Sequence, residues 1–227
     1  MNQKFTILFD LDGTLVDTAP DLMLAHNHVM KKFGYPTKST EDIRNLVGKG
    51  AGALIGRSIW EQAKKEFSKV LDDKIKDEMV KEFVNFYGKN IINKSTLING
   101  VKEFLIWCKE QNISMAVCTN KTEHLAVDLL KKIGIYDYFE YVAGHNTFEY
   151  CKPDPRHLTT IIEILDGDKN KSIMIGDSET DANAAKAAEI PVILLENGYT
   201  EKNTNEIYHN HLIKDFVGIE KIITKYL

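Results

Sequence analysis

The run Phe5-Thr6-Ile7-Leu8-Phe9 ends abruptly in Asp10-Leu11-Asp12-Gly13-Thr14. A continuous apolar, β-favouring stretch bounded by a turn signal predicts a strand buried on both faces, as in parallel sheets. That constrains the fold strongly, because a parallel neighbour is reached only through a long crossover, usually a helix. In open parallel sheets, ligands meet loops and backbone amides at the carboxyl ends of strands. Asp10 and Asp12 stand at such an end, one residue apart, so in extended chain their side chains leave on the same side. Close carboxylates repel each other. A hard, oxygen-seeking cation such as Mg²⁺, shared with a substrate phosphate, suits the pair. An acidic turn after a strand is the ordinary alternative.

The rest of the chain supplies the crossovers. Asp17 or Thr18 is placed to cap a helix whose first turn holds Pro20 and Asp21. Leu22, Ala25, Val29 and Phe33 follow at helical spacing, and Gly34 closes the run. From about Thr40 to Asn93 the pattern stays helical, with one stripe at Ile55, Ile59, Ala63 and Phe67 and another at Ile75, Met79, Phe83 and Phe86. From Gly100 onward, helices at Val101 to Gln111, Thr122 to Lys132, Pro155 to Leu165 and Glu179 to Ala188 alternate with strands. These are Ile113 to Cys118, Phe139 to Ala143, Ser172 to Ile175 and Val192 to Leu195. The alternation predicts an α/β fold: a doubly wound, Rossmann-like parallel-sheet core over residues 1–16 and 96–227. Residues 17–95 form an inserted α-helical cap, placed to exclude water and choose substrates.

Hydrophobic content of 43% in 227 residues suffices for a packed core, and the net charge of −4 leaves no basic footprint for nucleic acid. No apolar run approaches the roughly 18 residues of a membrane helix, and no secretory leader is visible, so a cytoplasmic monomer or homodimer is expected. Cys108, Cys118 and Cys151 lack metal-ligand spacing and read as reduced thiols. Lys152 is placed to lower the pKa of its neighbour Cys151, though an incidental, partly buried thiol is the ordinary reading.

Three more strand ends carry polar residues. Thr119-Asn120 offers a hydroxyl and an amide to phosphate oxygens, or simply caps a helix. Lys152, in a loop stiffened by Pro153 and Pro155, suits neutralising a phosphate and softening carboxylate repulsion; an exposed loop is the alternative. In Gly176-Asp177-Ser178-Glu179-Thr180-Asp181, Asp177 is placed as a further metal carboxylate. Asp181 returns to the same helical face to orient the metal's waters, while an N-cap role for Asp177 or Ser178 stays open.

An Asp-x-Asp-x-Thr, a Thr-Asn, a Lys-Pro and a Gly-Asp-Ser-x-x-x-Asp, in that order, match the four signatures of the haloacid dehalogenase superfamily. The chain is identified as a member over essentially its whole length, cap included. Most members are Mg²⁺-dependent phosphatases. The resemblance implies Asp10 as nucleophile and Asp12 as general acid, then base, with Mg²⁺ held by Asp10, the Asp12 backbone carbonyl and Asp177. Thr119, Asn120 and Lys152 are implied to bind the phosphoryl oxygens, helped by loop groups at Leu11 and Thr14, with Ser178 and Asp181 behind the metal ligands. Asp12 favours phosphatase over dehalogenase chemistry, and Thr14 leans towards hydrolysis over a phosphosugar mutase.

The start Asp17-Thr18-Ala19-Pro20-Asp21-Leu22 and the turn Leu46-Val47-Gly48-Lys49-Gly50-Ala51 resemble bacterial phosphoglycolate phosphatases. Lys49 and Gly50 are therefore expected to contact substrate, Lys49 as a cation for the glycolate carboxylate; a helix-starting turn is the ordinary reading. Other small phosphomonoesters (a sugar phosphate, an amino-sugar phosphate), pyrophosphate and a catalytically silent binding protein remain alternatives.

Overall fold

The computed structural model describes residues 3–66 and 73–227. In chain order the elements are β1 (Thr6–Phe9), β2 (Val16–Asp17), α1 (Ala19–Lys32), α2 (Thr40–Arg44), α3 (Ala51–Glu66) and α4 (Asp73–Lys89). There follow β3 (Thr96–Leu97), α5 (Val101–Glu110), β4 (Ser114–Cys118), α6 (Glu123–Ile133), β5 (Tyr141–Ala143) and α7 (Arg156–Ile164). The chain ends with β6 (Ser172–Gly176), α8 (Glu179–Ala187), β7 (Val192–Leu195), β8 (His211–Ile213) and α9 (Glu220–Ile223).

Six strands form one sheet in the order β5-β4-β1-β6-β7-β8, every pair parallel. Thr6 pairs with Ser114 on one side and Ser172 on the other, so β1, β4 and β6 run flush and end together. Alternate residues of each strand face opposite layers. Ile7, Phe9, Val117 and Ile175 pack with Phe104 of α5, Leu129 of α6 and Ile223 of α9, whereas Leu8, Ala116 and Met174 pack with Ile161 of α7 and Ala185 of α8. The Phe9 ring meets Phe104 and Phe139 edge-on. Helices on both faces of a parallel sheet make the doubly wound fold expected from the sequence.

Between β2 and β3, which pair antiparallel, the chain runs through α1 to α4. α4 packs against α1 and α3. Asp21 of α1 ties the returning chain down, accepting bonds from the Lys94 and Ser95 N–H groups and the Ser95 hydroxyl. Ile55, Ile59, Met79 and Phe83 are buried as their stripes require, but Ile75 is 41% exposed. Phe67 and the Ala63 side chain lie outside the described residues. Thr18 occupies the N-cap of α1 without capping it; its hydroxyl is committed to Asp12 instead. Strands β2, β3 and β8 and helix α9 were not expected. Among the described residues, no helix is long and apolar enough to cross a membrane.

Candidate active site

The flush ends of β1, β4 and β6 deliver Asp10, Thr119 and Asp177 to one edge of the sheet. Asp10 is held there by its own N–H, which donates to the Ile175 carbonyl at 2.9 Å. Lys152 Nζ lies 2.9 Å from Asp10 Oδ1 and 2.6 Å from Asp181 Oδ1. The Lys152 loop is anchored by its backbone N–H, which donates to His157 Nδ1 at 3.2 Å. Burial lowers the His157 pKa to about 3, which keeps the ring neutral and able to accept. Burial opposes the Lys152 charge, but Asp10 and Asp181 outweigh it and hold the ammonium above the ordinary lysine range.

Asp181 has two tasks. Besides pairing with Lys152, its Oδ2 accepts from the Ser178 N–H at 3.1 Å and the Ser178 hydroxyl at 2.8 Å, closing the first turn of α8. The N-cap role left open for Ser178 is therefore realised through Asp181. Asp177 accepts from the Tyr199 N–H at 2.6 Å and from the Thr14 hydroxyl at 3.3 Å. Two glycines permit this packing. Gly13, at φ +84°, and Gly198 lie so close to Asp177 that a Cβ on either would collide with it.

Asp10, Asp177 and Asp181 each bring one carboxylate oxygen within 4.8 Å of the others, and all three are buried. Burial, offset in part by Lys152, pushes the Asp10 carboxyl up to about 6. Burial and the charges of Asp181 and Asp10 push Asp177 well above the carboxylate range. Three buried carboxylates facing one ammonium fit a hard divalent cation with oxygen ligands.

The Asp12 carboxylate is not one of that cluster. The chain turns after it at Gly13, whose N–H donates to the Val16 carbonyl at 2.8 Å. Asp12 Oδ1 accepts from the Thr18 hydroxyl at 2.7 Å, and Lys121 Nζ is 2.8 Å from both Asp12 oxygens. Each aspartate of the Asp-x-Asp thus has its own lysine.

Two more side chains have partners within the protein. Thr14 is fully buried, and its hydroxyl donates to Asp177. The Asn120 amide donates to the carbonyls of Gly48, at 3.1 Å, and Lys152, at 3.0 Å, pinning the Gly48 turn to the lysine loop. Its side-chain N–H groups are therefore engaged. The Thr119 hydroxyl accepts from the Lys121 N–H at 3.2 Å. Cys151 is a partly buried free thiol, its ordinary reading: burial outweighs Lys152 and raises its pKa.

A cavity of about 340 Å³ opens over this edge, lined by Asp10, Asp12, Thr119, Asn120 and Lys121 on one side. Lys49, Gly50, Phe83 and Tyr87 line the other, while the Leu11 side chain is buried in the core. Sequence reasoning missed Lys121, Thr18 and Tyr199. Lys121 carried a usable signal, a cation directly after Thr119-Asn120 at a strand end. Tyr199 carried none.

The model of the haloacid dehalogenase-like hydrolase family matches residues 7–195. A phosphoglycolate phosphatase of Mesorhizobium japonicum is 38% identical over 92% of this chain and 90% of its own length. One from Agrobacterium fabrum is 38% identical over 96% and 94%. The crystal structure of a predicted phosphoglycolate phosphatase from Haemophilus somnus 129PT superposes with a TM-score of 0.91 at 30% identity, covering 98% of this chain and 99% of that one.

Proposed function

The chain belongs to the haloacid dehalogenase-like hydrolase family as a phosphomonoester hydrolase, and from that premise we propose that it converts 2-phosphoglycolate to glycolate and phosphate through a phosphorylated Asp10. One observation carries the mechanism: Asp10, Asp12, Thr119 and Lys121 line one cavity, with Asp10 also set against Lys152. The substrate assignment draws on the names of the relatives.

The β2–β3 ribbon supports dividing the chain into a core of residues 1–16 and 96–227 and a helical cap of residues 17–95. The cap closes the cavity with Gly48, Lys49, Phe83 and Tyr87, excluding water from the reacting phosphoryl group.

A carboxylate oxygen of Asp10 attacks phosphorus as the bond to the leaving oxygen breaks. Asp12 gives its proton to that oxygen, releasing glycolate. Asp12 then takes a proton from water, whose oxygen attacks phosphorus and frees Asp10 and phosphate. Lys152 offsets charge on the phosphoryl oxygens and keeps Asp10 in place. The Thr119 hydroxyl and the backbone N–H groups around Leu11 and Asn120 supply further donors. Asp10, Asp177 and the Asp12 carbonyl would hold Mg²⁺, which supplies positive charge to the phosphoryl group. Asp181 and Ser178 fix the carboxylates and Lys152 behind them.

The cavity suggests a second reading. Val80, Phe83, Val84 and Leu125 extend it beyond what two carbons fill, which favours a phosphomonoester with a larger leaving group. Phosphate release from a panel of phosphomonoesters, with Mg²⁺ and then with EDTA, separates the two. A Mg²⁺-dependent preference for 2-phosphoglycolate supports the first reading; preference for a bulkier ester replaces the substrate and keeps the chemistry.

A further inference from the structure

We propose that Lys121 recognises the carboxylate of the leaving group, sharing its ammonium between Asp12 and a carboxylate carried one carbon from the ester oxygen. The inference deepens the reading of the substrate as 2-phosphoglycolate and rests on it.

The argument begins with position. Lys121 and Asp12 line the same cavity, and their side chains are only 5% and 12% exposed. Lys121 Nζ is 2.8 Å from each Asp12 oxygen and 4.5 Å from the centre of the Tyr87 ring, which α4 brings from the opposite wall. To protonate a leaving oxygen, Asp12 must touch it. In an α-phosphorylated acid the carboxyl group is bonded to the carbon that bears this oxygen. A substrate carboxylate therefore falls beside Asp12, where the ammonium already sits.

Electrostatics point the same way. Once Asp12 has given its proton to the leaving oxygen, a carboxylate beside it in a buried cavity brings like charges together at low dielectric. A cation between them offsets that repulsion. An ammonium carries three N–H donors, enough to hold a second anion without surrendering the first. Tyr87, whose hydroxyl is buried without a hydrogen-bond partner among the described residues, lines the opposite wall. Lys49, given this role on sequence grounds, is exposed, where water screens its charge.

The test compares kcat/KM for 2-phosphoglycolate with that for 2-hydroxyethyl phosphate, which has a neutral hydroxymethyl in place of the carboxylate. Wild type, Lys121→Met, Lys121→Arg and Lys49→Ala are measured with both. The preference for 2-phosphoglycolate should fall at least about tenfold in Lys121→Met, as expected for a lost charged hydrogen bond. Lys121→Arg should recover part of it, and Lys49→Ala should keep the ratio. A thermal melt of each variant reports whether it is folded, and a folded Lys121→Met that turns over neither ester would also overturn the assignment. Equal losses on both esters in Lys121→Met, with the wild-type ratio retained, would mean that Lys121 only positions Asp12 and would overturn the assignment. Loss of the ratio in Lys49→Ala alone would overturn it too. A wild type without preference for the carboxylated ester would instead bring down the substrate reading, and this inference with it.

Discussion

Lys152 Nζ lies 2.6 Å from Asp181 Oδ1, and the pair is essentially inaccessible to water. The same ammonium serves Asp10 at 2.9 Å. One buried cation thus holds two of three clustered carboxylates, and the third, Asp177, depends on the Tyr199 N–H and the Thr14 hydroxyl.

Lys152→Met should be severe. Removing one partner of a buried ion pair typically costs about 3–5 kcal/mol, because the remaining charge stays buried without compensation. The expected outcome is loss of phosphate release and a lower urea midpoint at neutral pH in EDTA. An unchanged midpoint would show that Lys152 does not offset these carboxylates.

The metal effect should depend on pH. Asp10 is raised from 3.8 to about 6, and Asp177 is raised as well. A carboxyl whose folded pKa exceeds its unfolded value stabilises the fold fully below the unfolded value, and that stability is lost as pH rises through the folded value. In EDTA, Asp10 should therefore weaken the fold as pH climbs from about 4 to about 6. Mg²⁺ binds the ionised form and reverses this. The rise in Tm produced by Mg²⁺ should be larger at about pH 7.5 than at about pH 5, and Asp10→Asn should flatten the difference. A Mg²⁺ effect independent of pH would contradict this linkage.

Gly198→Ala tests the support beneath Asp177. The added Cβ collides with the Asp177 backbone, so the loop must move and carry the Tyr199 N–H away from the carboxylate. Loss of such a supporting hydrogen bond typically lowers metal affinity about 10- to 100-fold. The Mg²⁺ concentration for half-maximal turnover should rise accordingly. An unchanged value would mean that the Tyr199 contact does not tune the site.

Legibility in the sequence followed the size of each physical signal. The Phe5–Phe9 run and the apolar stretches before Thr119 and Asp177 are long enough to show as buried strands, and each ends in polar residues that water or a ligand must satisfy. Strands β2 and β3, of two residues each, have no periodicity to read, and they pair across the whole helical insertion. The Asn120 amide suits phosphate oxygens, and Thr14 joins the substrate contacts only through the family resemblance. Only the folded chain reveals that Asp177 and two carbonyls already claim those donors.

The most direct test of the account is turnover of 2-phosphoglycolate by Asp10→Asn, measured beside wild type with saturating Mg²⁺ and with EDTA. An amide is too weak a nucleophile to attack phosphorus, and it nearly preserves the shape of the carboxylate. The account predicts Mg²⁺-dependent phosphate release by wild type and none above background by a folded Asp10→Asn. Substantial residual release by cleanly purified Asp10→Asn would contradict Asp10 as the nucleophile.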